Sequence, residues 1–248
     1  MFFPVKEYKD WDTALKKCTG YNALNILDKV YQSAIKIKRG EAVYERDSIV
    51  FKNIQYSWPV LGALMWIALQ NDGELNIIDF GGSLGTSYYQ NKKFLKVLKR
   101  VKWNIVEQAH FVELGKREFE NESLKFYFDL ETCMQENAAQ VILFSGVLQY
   151  LENPFAVLSK VKTSGIKFVI IDRTSFHKAP KDKIVVQRVP ASIFKASYPY
   201  RIFSESNFEL FFKDDVIMES FESFKENVRN SIIFKGYIIQ HGKRNHSA

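Results

Sequence analysis

Cysteine is almost missing from this chain. Cys18 and Cys133 stand far apart, with no C-x-x-C spacing, so neither a disulfide framework nor a zinc ribbon is expected. The four histidines are scattered, which leaves no metal-ligand set to propose. A long apolar run is missing too. The most apolar stretch, Trp58 to Leu69, is too short to span a bilayer and is expected as a buried helix. Met-Phe-Phe-Pro-Val-Lys-Glu at the start lacks the apolar centre of a signal peptide. No internal repeat and no low-complexity linker is visible. A soluble, cytoplasmic protein with reduced thiols and no membrane insertion is the expectation.

What is present suits a globular α/β protein. The 248 residues are 46% hydrophobic and 25% charged, enough for one domain or one domain with a terminal cap. Aromatics are abundant, with 21 Phe and 12 Tyr, which favours a well-filled core and an aromatic-lined pocket. The formal charge of +7 reflects 35 basic against 28 acidic residues. Lysines spread over helix surfaces account for it as well as an anionic partner does. Nucleic acid is therefore not the expected partner, and the oligomeric state is left open.

The chain is organised around Asn76 to Gly85, Asn-Ile-Ile-Asp-Phe-Gly-Gly-Ser-Leu-Gly. Leu75 to Phe80 is a short apolar run with β-branched residues and reads as a buried strand. Asp79 stands near its end, Gly81, Gly82 and Gly85 follow, and helix formers run from Thr86 to Arg100. Strand, acid, glycine turn and helix form the first βα unit of a nucleotide-type domain. The glycines let backbone pass close to a ligand. A dinucleotide turn, G-x-G-x-x-G, would need glycine at Phe80, so that pattern fails. The D-x-G-G-S-x-G found here resembles motif I of the class I S-adenosylmethionine-dependent methyltransferases, E/D-x-G-x-G-x-G, with Ser83 in place of the middle glycine.

Before this unit, Tyr21 to Ile37 carries apolar residues at helical spacing, and residues 1–20 read as an irregular arm. Tyr44-Glu45-Arg46-Asp47 reads either as a solvated loop or as a segment folded over a pocket. After it, strands are expected at Lys102–Glu107, Lys125–Phe128, Gln140–Phe144 and Lys167–Ile171, with helices between them. Such alternation implies a parallel sheet covered on both faces. Ligands gather at the carboxyl ends of its strands, where Asp79, Glu107, Asp129, Ser145 and Asp172 fall. Lys178 to Tyr200, with Pro180, Pro190 and Pro199, reads as an inserted loop or lid. Ser204–Phe212 reads as a helix, and Val216–Phe224 with Ser231–Gln240 as a closing antiparallel hairpin. The expected fold is α/β and Rossmann-like: a seven-stranded, mostly parallel sheet with a terminal hairpin. A helical cap (1–73) precedes a core (74–242) that carries an insertion at about 178–203.

Several further stretches narrow the resemblance: Gly40–Asp47, Phe144–Tyr150, Ile171–Thr174, Val186–Pro190 and Ser197–Pro199. With the glycine turn, they resemble a family of methyltransferases of unassigned substrate found in bacterial gene clusters for surface-polysaccharide synthesis. The likeness covers roughly residues 20 to 240. It implies that S-adenosylmethionine, with product S-adenosylhomocysteine, binds through Asp79, Gly81, Gly82, Ser83, Gly85, Glu107, Gln108, Asp129, Leu130, Ser145 and Gly146. Glu107 has the bidentate carboxylate suited to ribose hydroxyls, whereas Asp129 suits a helix N-cap equally well. Tyr44, Arg46, Arg173, Thr174, Gln187, Tyr198 and Arg201 are the expected acceptor contacts. Arg173 clamping a carboxylate or phosphate is one reading, and Arg173 anchoring the insertion through an ion pair is the other. Arg173 and His177 are the candidate catalytic residues, with His177 as the general base. The expected acceptor is a small molecule, a sugar or nucleotide-sugar. Two rivals stand beside this reading. One is a non-catalytic binding or scaffolding protein of the same fold, for which Ser83 in the turn leaves room. The other is an RNA methyltransferase, which basic residues clustered at a pocket mouth would favour.

Overall fold

The computed structural model describes residues 6–18, 23–189, 196–223 and 232–242. Pro190, the polar connection at 225–230 and the tail from 243 onward lie outside the described residues. Along the chain, β1 (Glu7–Tyr8) and α1 (Trp11–Leu15) precede α2 (Ala23–Lys38), the hairpin β2 (Tyr44–Arg46) and β3 (Ile49–Phe51), and α3 (Trp58–Leu69). Strict alternation follows: β4 (Glu74–Phe80), α4 (Thr86–Leu95), β5 (Arg100–Val106), α5 (Ala109–Glu118), β6 (Leu124–Tyr127), α6 (Leu130–Glu136) and β7 (Val141–Ser145). A 3-10 turn at Leu148–Tyr150 leads to α7 (Pro154–Thr163), β8 (Phe168–His177), β9 (Lys183–Arg188) and β10 (Ser197–Ser204). The last elements are α8 (Glu205–Phe211), β11 (Val216–Glu222) and β12 (Ile233–Gln240).

By contact, the chain divides into two compact units. One comprises Ala23–Ser145 with Ile166–Ile170, and the other Met1–Asn22, Gly146–Gly165 and Ile171–Ala248. Strand β8 is shared along its length, its start belonging to the first and the rest to the second.

The first unit is a parallel ladder with β4 between β5 and β7, and β6 beyond β5. Strands covered on both faces need near-continuous apolar runs. Accordingly Leu75, Ile77 and Ile78 of β4 and all of Val141–Phe144 in β7 are buried. Asp79 is the polar exception, opposite Ile105 on one side and Leu143 on the other. Helix α5 turns Phe111, Val112, Leu114 and Gly115 inward. Gly115 lets the helix press close to the sheet, since a Cβ there would come within 2.5 Å of the Phe126 ring. The apolar Trp58–Leu69 is a buried helix as its composition implies, with Leu64, Ile67 and Ala68 fully enclosed. Tyr44–Arg46 is not a loop but a strand, paired to β3 through a two-residue turn in which Asp47 and Ser48 have φ of 52° and 66°. Such turns usually carry Asn-Gly or Asp-Gly, so Asp-Ser gave a weak signal.

The second unit departs further from expectation. Lys183–Arg188 and Ser197–Ser204, expected within an inserted loop, are strands: β9 and β10 pair antiparallel from Ile202↔Lys183 to Ser197↔Arg188. Strand β10 runs parallel to β8, and β1 of the expected irregular arm pairs with β9, Glu7 opposite Val185. The N-terminal residues therefore belong with β9 and not with the rest of an expected 1–73 cap. Pro199 is accommodated inside β10, and alternation in Lys183–Arg188 was masked because Ile184, Val185, Val186 and Gln187 are all buried. The closing hairpin is present, with β11 antiparallel to β12 and a register shift between Ile217 and Glu219.

Candidate active site

In the first unit, β4 ends in a turn whose backbone is forced into rare conformations. Gly81, Ser83 and Gly85 have φ of 73°, 55° and 101°, the region where a Cβ is penalised. Ser83 tolerates it as a single residue at a cost on the order of 1 kcal/mol. Gly82 is required for a different reason: its Cβ would lie 2.7 Å from the Asp79 carboxylate. The turn is thus folded down onto Asp79. Gly81 N–H donates to the Val106 carbonyl (2.9 Å) and Gly85 N–H to the Gly82 carbonyl (3.0 Å), tying the turn to the end of β5.

Asp79 is 1% exposed, and its Oδ2 accepts from Trp103 Nε1 at 2.9 Å. It is an internal support for the turn. Glu107, just past β5, is placed differently. Its Oε2 accepts from the Gln108 backbone N–H at 2.7 Å, and the Ser83 backbone N–H also stabilises its ionised form. Although part of the side chain is exposed, protein crowds the carboxylate, and this desolvation outweighs the two N–H groups and pushes its pKa above the ordinary glutamate value. Asp79, the glycine turn and Glu107 are therefore brought together at the carboxyl ends of β4 and β5.

Glu45, which sequence reasoning passed over in favour of its neighbours, joins them. It is buried and accepts from the Thr86 hydroxyl at the start of α4. A small cleft lies there, lined by Ala34, Ile37, Tyr44, Glu45, Leu84, Thr86 and Tyr89. The segment 44–46 does lie against the glycine turn, as the folded-over reading requires. Tyr44 is buried beside Phe51 and receives a 3.4 Å bond from Gln90, while Arg46 lies over the Phe51 ring at 5.4 Å. The signal for Glu45 was the alternation of β2, which sets it on the opposite face from Tyr44 and Arg46.

The remaining first-unit candidates have local duties. Asp129 caps α6, its two oxygens accepting from Thr132 N–H (2.8 Å) and Oγ1 (2.9 Å), bonds that lower its pKa. Leu130 is buried in the first turn of that helix, Gln108 is exposed at the start of α5, and Ser145 ends β7 partly buried.

In the second unit, β8 does not stop at Ile171 but continues to His177, so the expected rim is strand interior. Thr174 is fully buried and its hydroxyl bonds the Asp172 carbonyl at 3.3 Å. His177 is 5% exposed. Its Nδ1 accepts from the Ala179 N–H at 3.1 Å, which leaves Nε2 carrying the proton. Burial, reinforced by the positive charge of Lys183, pushes its pKa down. With its basic nitrogen occupied, His177 is not placed as a general base. Arg201 is likewise committed, donating to Asp182 Oδ2 (3.1 Å) and the Glu152 carbonyl (2.9 Å), an internal tie and not a ligand clamp.

Arg173 keeps partial exposure. It has φ of 51° inside a strand, and its N–H donates to Ser223 Oγ, which in turn donates to Asp172 Oδ1. Its Nε lies 4.0 Å from Asp172 Oδ2, and its guanidinium passes over Gly146 (φ 72°), whose Cβ would be 3.4 Å away. A strained residue held on both sides is characteristic of functional positions. Gln187 is buried opposite a partly exposed Tyr198, and Tyr150 meets Tyr198 and Tyr200 edge-on at 5.3 and 5.2 Å.

No family model and no curated protein matches the chain. Solved structures do. The N-terminal domain of EvdMO1, solved in the presence of S-adenosylhomocysteine and D-fucose, superposes with a TM-score of 0.53 at 11% identity, covering 90% of this chain and 98% of that one. A chain from Listeria monocytogenes described as an S-adenosylmethionine-dependent methyltransferase gives 0.50 at 10% identity, covering 75% and 98%. The fold is that of the class I methyltransferases. Likeness at this identity settles architecture, and the chemistry rests on the residues above.

Proposed function

We propose that the protein is an S-adenosylmethionine-dependent methyltransferase acting on a small-molecule acceptor. The observation that carries this reading is the carboxylate of Glu107 standing against the Ser83 amide of a turn with three left-handed residues. The turn supplies close backbone approach, and Glu107 supplies a two-oxygen acceptor for a ribose diol, so the residues fit the cofactor. The bound cofactor supplies a methyl group activated by its sulfonium. This chain binds, orients and excludes water: Asp79 and Gly82 fix the turn, Trp103 fixes Asp79, and Glu107 holds the ribose hydroxyls. Among the candidate residues no free base is placed, so positioning supplies most of the rate, as in-line transfer from a sulfonium allows.

We place the acceptor among sugars and nucleotide-sugars of surface-polysaccharide synthesis, on the sequence resemblance. The presence of D-fucose with the EvdMO1 domain agrees in kind. The engaged Nδ1 of His177 favours a second reading, a protein that binds the cofactor without transferring its methyl group. Calorimetric titration with S-adenosylhomocysteine and S-adenosylmethionine tests the shared premise, with saturable binding expected and its absence at millimolar ligand overturning both. Transfer of labelled methyl to a nucleotide-sugar panel separates the two.

A further inference from the structure

The β9–β10 ribbon has two unlike faces. Ile184 and Val186 pack with Ala14, Tyr8, Trp11 and Cys18 from the N-terminal segment. Val185, Tyr200, Ile202 and Ile232 form the other cluster, with Tyr150 of the 3-10 turn against it. Gln187 is two residues from Val185 and directly opposite Tyr198, so alternation puts it on the Tyr150 face. That is an apolar and aromatic surface, yet Gln187 is 3% exposed and its Oε1 has no hydrogen-bond partner among the described residues.

Gln149, next to Tyr150, repeats the anomaly. It is 3% exposed, its Nε2 donates to the Arg173 carbonyl at 3.2 Å, and its Oε1 is buried without a partner among the described residues. Gln187 pairs with Tyr198 across the ribbon and Gln149 precedes Tyr150 in the chain, so each member of the Tyr150–Tyr198 contact neighbours one of these amides. An unsatisfied buried acceptor is destabilising, and leucine at position 187 would avoid that penalty. A ligand that donates hydrogen bonds accounts for keeping both amides.

We propose that Gln149 and Gln187, behind the Tyr150–Tyr198 pair, form a binding subsite for a ring that donates several hydrogen bonds, that is, a polyhydroxylated sugar ring. Tyrosine rings suit the apolar face of such a ring and the amide oxygens suit its hydroxyls. Arg173, joined to Gln149 through its carbonyl, stands where a phosphate on the same ligand is taken up. This deepens the proposed function by naming what the acceptor must offer.

The test uses Gln149→Leu and Gln187→Leu, with D-fucose and glucose 1-phosphate as probes in saturation-transfer NMR. Wild type is expected to pass saturation to ring protons of both probes at millimolar concentration, and each variant to lose that transfer. The melting temperature of unliganded Gln187→Leu is expected to equal or exceed wild type, because the unsatisfied oxygen is gone, whereas Gln149→Leu is expected to melt lower because it also gives up the bond to the Arg173 carbonyl. A lower melting temperature for Gln187→Leu would mean that its amide has a structural partner, and the proposal falls. It falls equally if wild type shows no transfer to either probe. Calorimetry with S-adenosylhomocysteine on the same samples separates the premises. Cofactor binding without sugar binding sinks the subsite alone, whereas sugar binding without cofactor binding leaves the subsite and sinks the methyl-transfer reading.

Discussion

Glu107 and Arg201 are both expected from sequence as ligand contacts, and the two units treat them in opposite ways. In the first unit Glu107 takes its bonds from backbone N–H groups of its own loop and of the glycine turn. A ligand can share such donors, and burial leaves the ionised carboxylate short of partners. In the second unit Arg201 spends its guanidinium on Asp182 and the Glu152 carbonyl, and Thr174 and His177 are similarly used up inside β8. A polar residue at a turn stays available, while one drawn into a ladder becomes part of the fold.

Mutations that reach the two residues should therefore fail in different assays. Arg201→Ala leaves Asp182 without its cation in a mostly enclosed setting and is expected to lower stability by about 3 kcal/mol. Denaturant unfolding reads that loss, and calorimetry should find cofactor affinity unchanged. A normal unfolding midpoint with lost binding would reverse the assignment. Glu107→Gln removes a charged acceptor worth about 2 kcal/mol of binding, roughly a 30-fold loss of affinity for S-adenosylhomocysteine. Its effect on stability has the opposite sign. Because burial raises the folded-state pKa, the unfolded chain releases this proton first, and wild type loses stability as pH rises from about 4.3 through the folded value. The variant should melt higher than wild type at neutral pH and no higher below that window.

Smaller effects sharpen the contrast within each unit. Asp129→Ala should lower stability through the lost cap, with Asp129→Asn recovering most of it. A fall in cofactor affinity with both variants would restore the cofactor contact that the resemblance implies. His177 is buried neutral, so the unfolded chain gains its proton first as pH falls below about 6.5, and stability declines there. His177→Gln should flatten that stretch of the stability profile by a fraction of a kcal/mol, measured by thermal melts across pH 5 to 7. Arg173→Gly relieves a positive φ and is expected to stabilise slightly, by up to about 1 kcal/mol, whereas Arg173→Ala is not.

What could be read from the chain follows the range of the interactions. The glycine turn, the flanking helix and strand, and the spacing to Glu107 are local patterns, and each is where it was expected. The extension of β8 through His177 was not legible, because Asp172-Arg173-Thr174-Ser175 breaks the apolar run that marks a buried strand. Its pairing with β10, and that of β9 with β1, joins residues over a hundred positions apart in the latter case. Nothing in the local sequence of Lys178–Tyr200 distinguishes a proline-bearing ribbon from a lid.

By itself, then, the sequence determined the parallel βαβ alternation and the conformation of residues 81–85, since steric demands at glycine and strand periodicity act over a few residues. Only the tertiary structure decided which polar side chains remain usable. It turned Thr174, His177 and Arg201 into internal ties and brought Glu45 to Thr86 across forty residues of chain. It also buried the amide oxygens of Gln149 and Gln187 without a hydrogen-bond partner among the described residues. Availability depends on the partners that folding supplies, and those partners come from elsewhere in the chain.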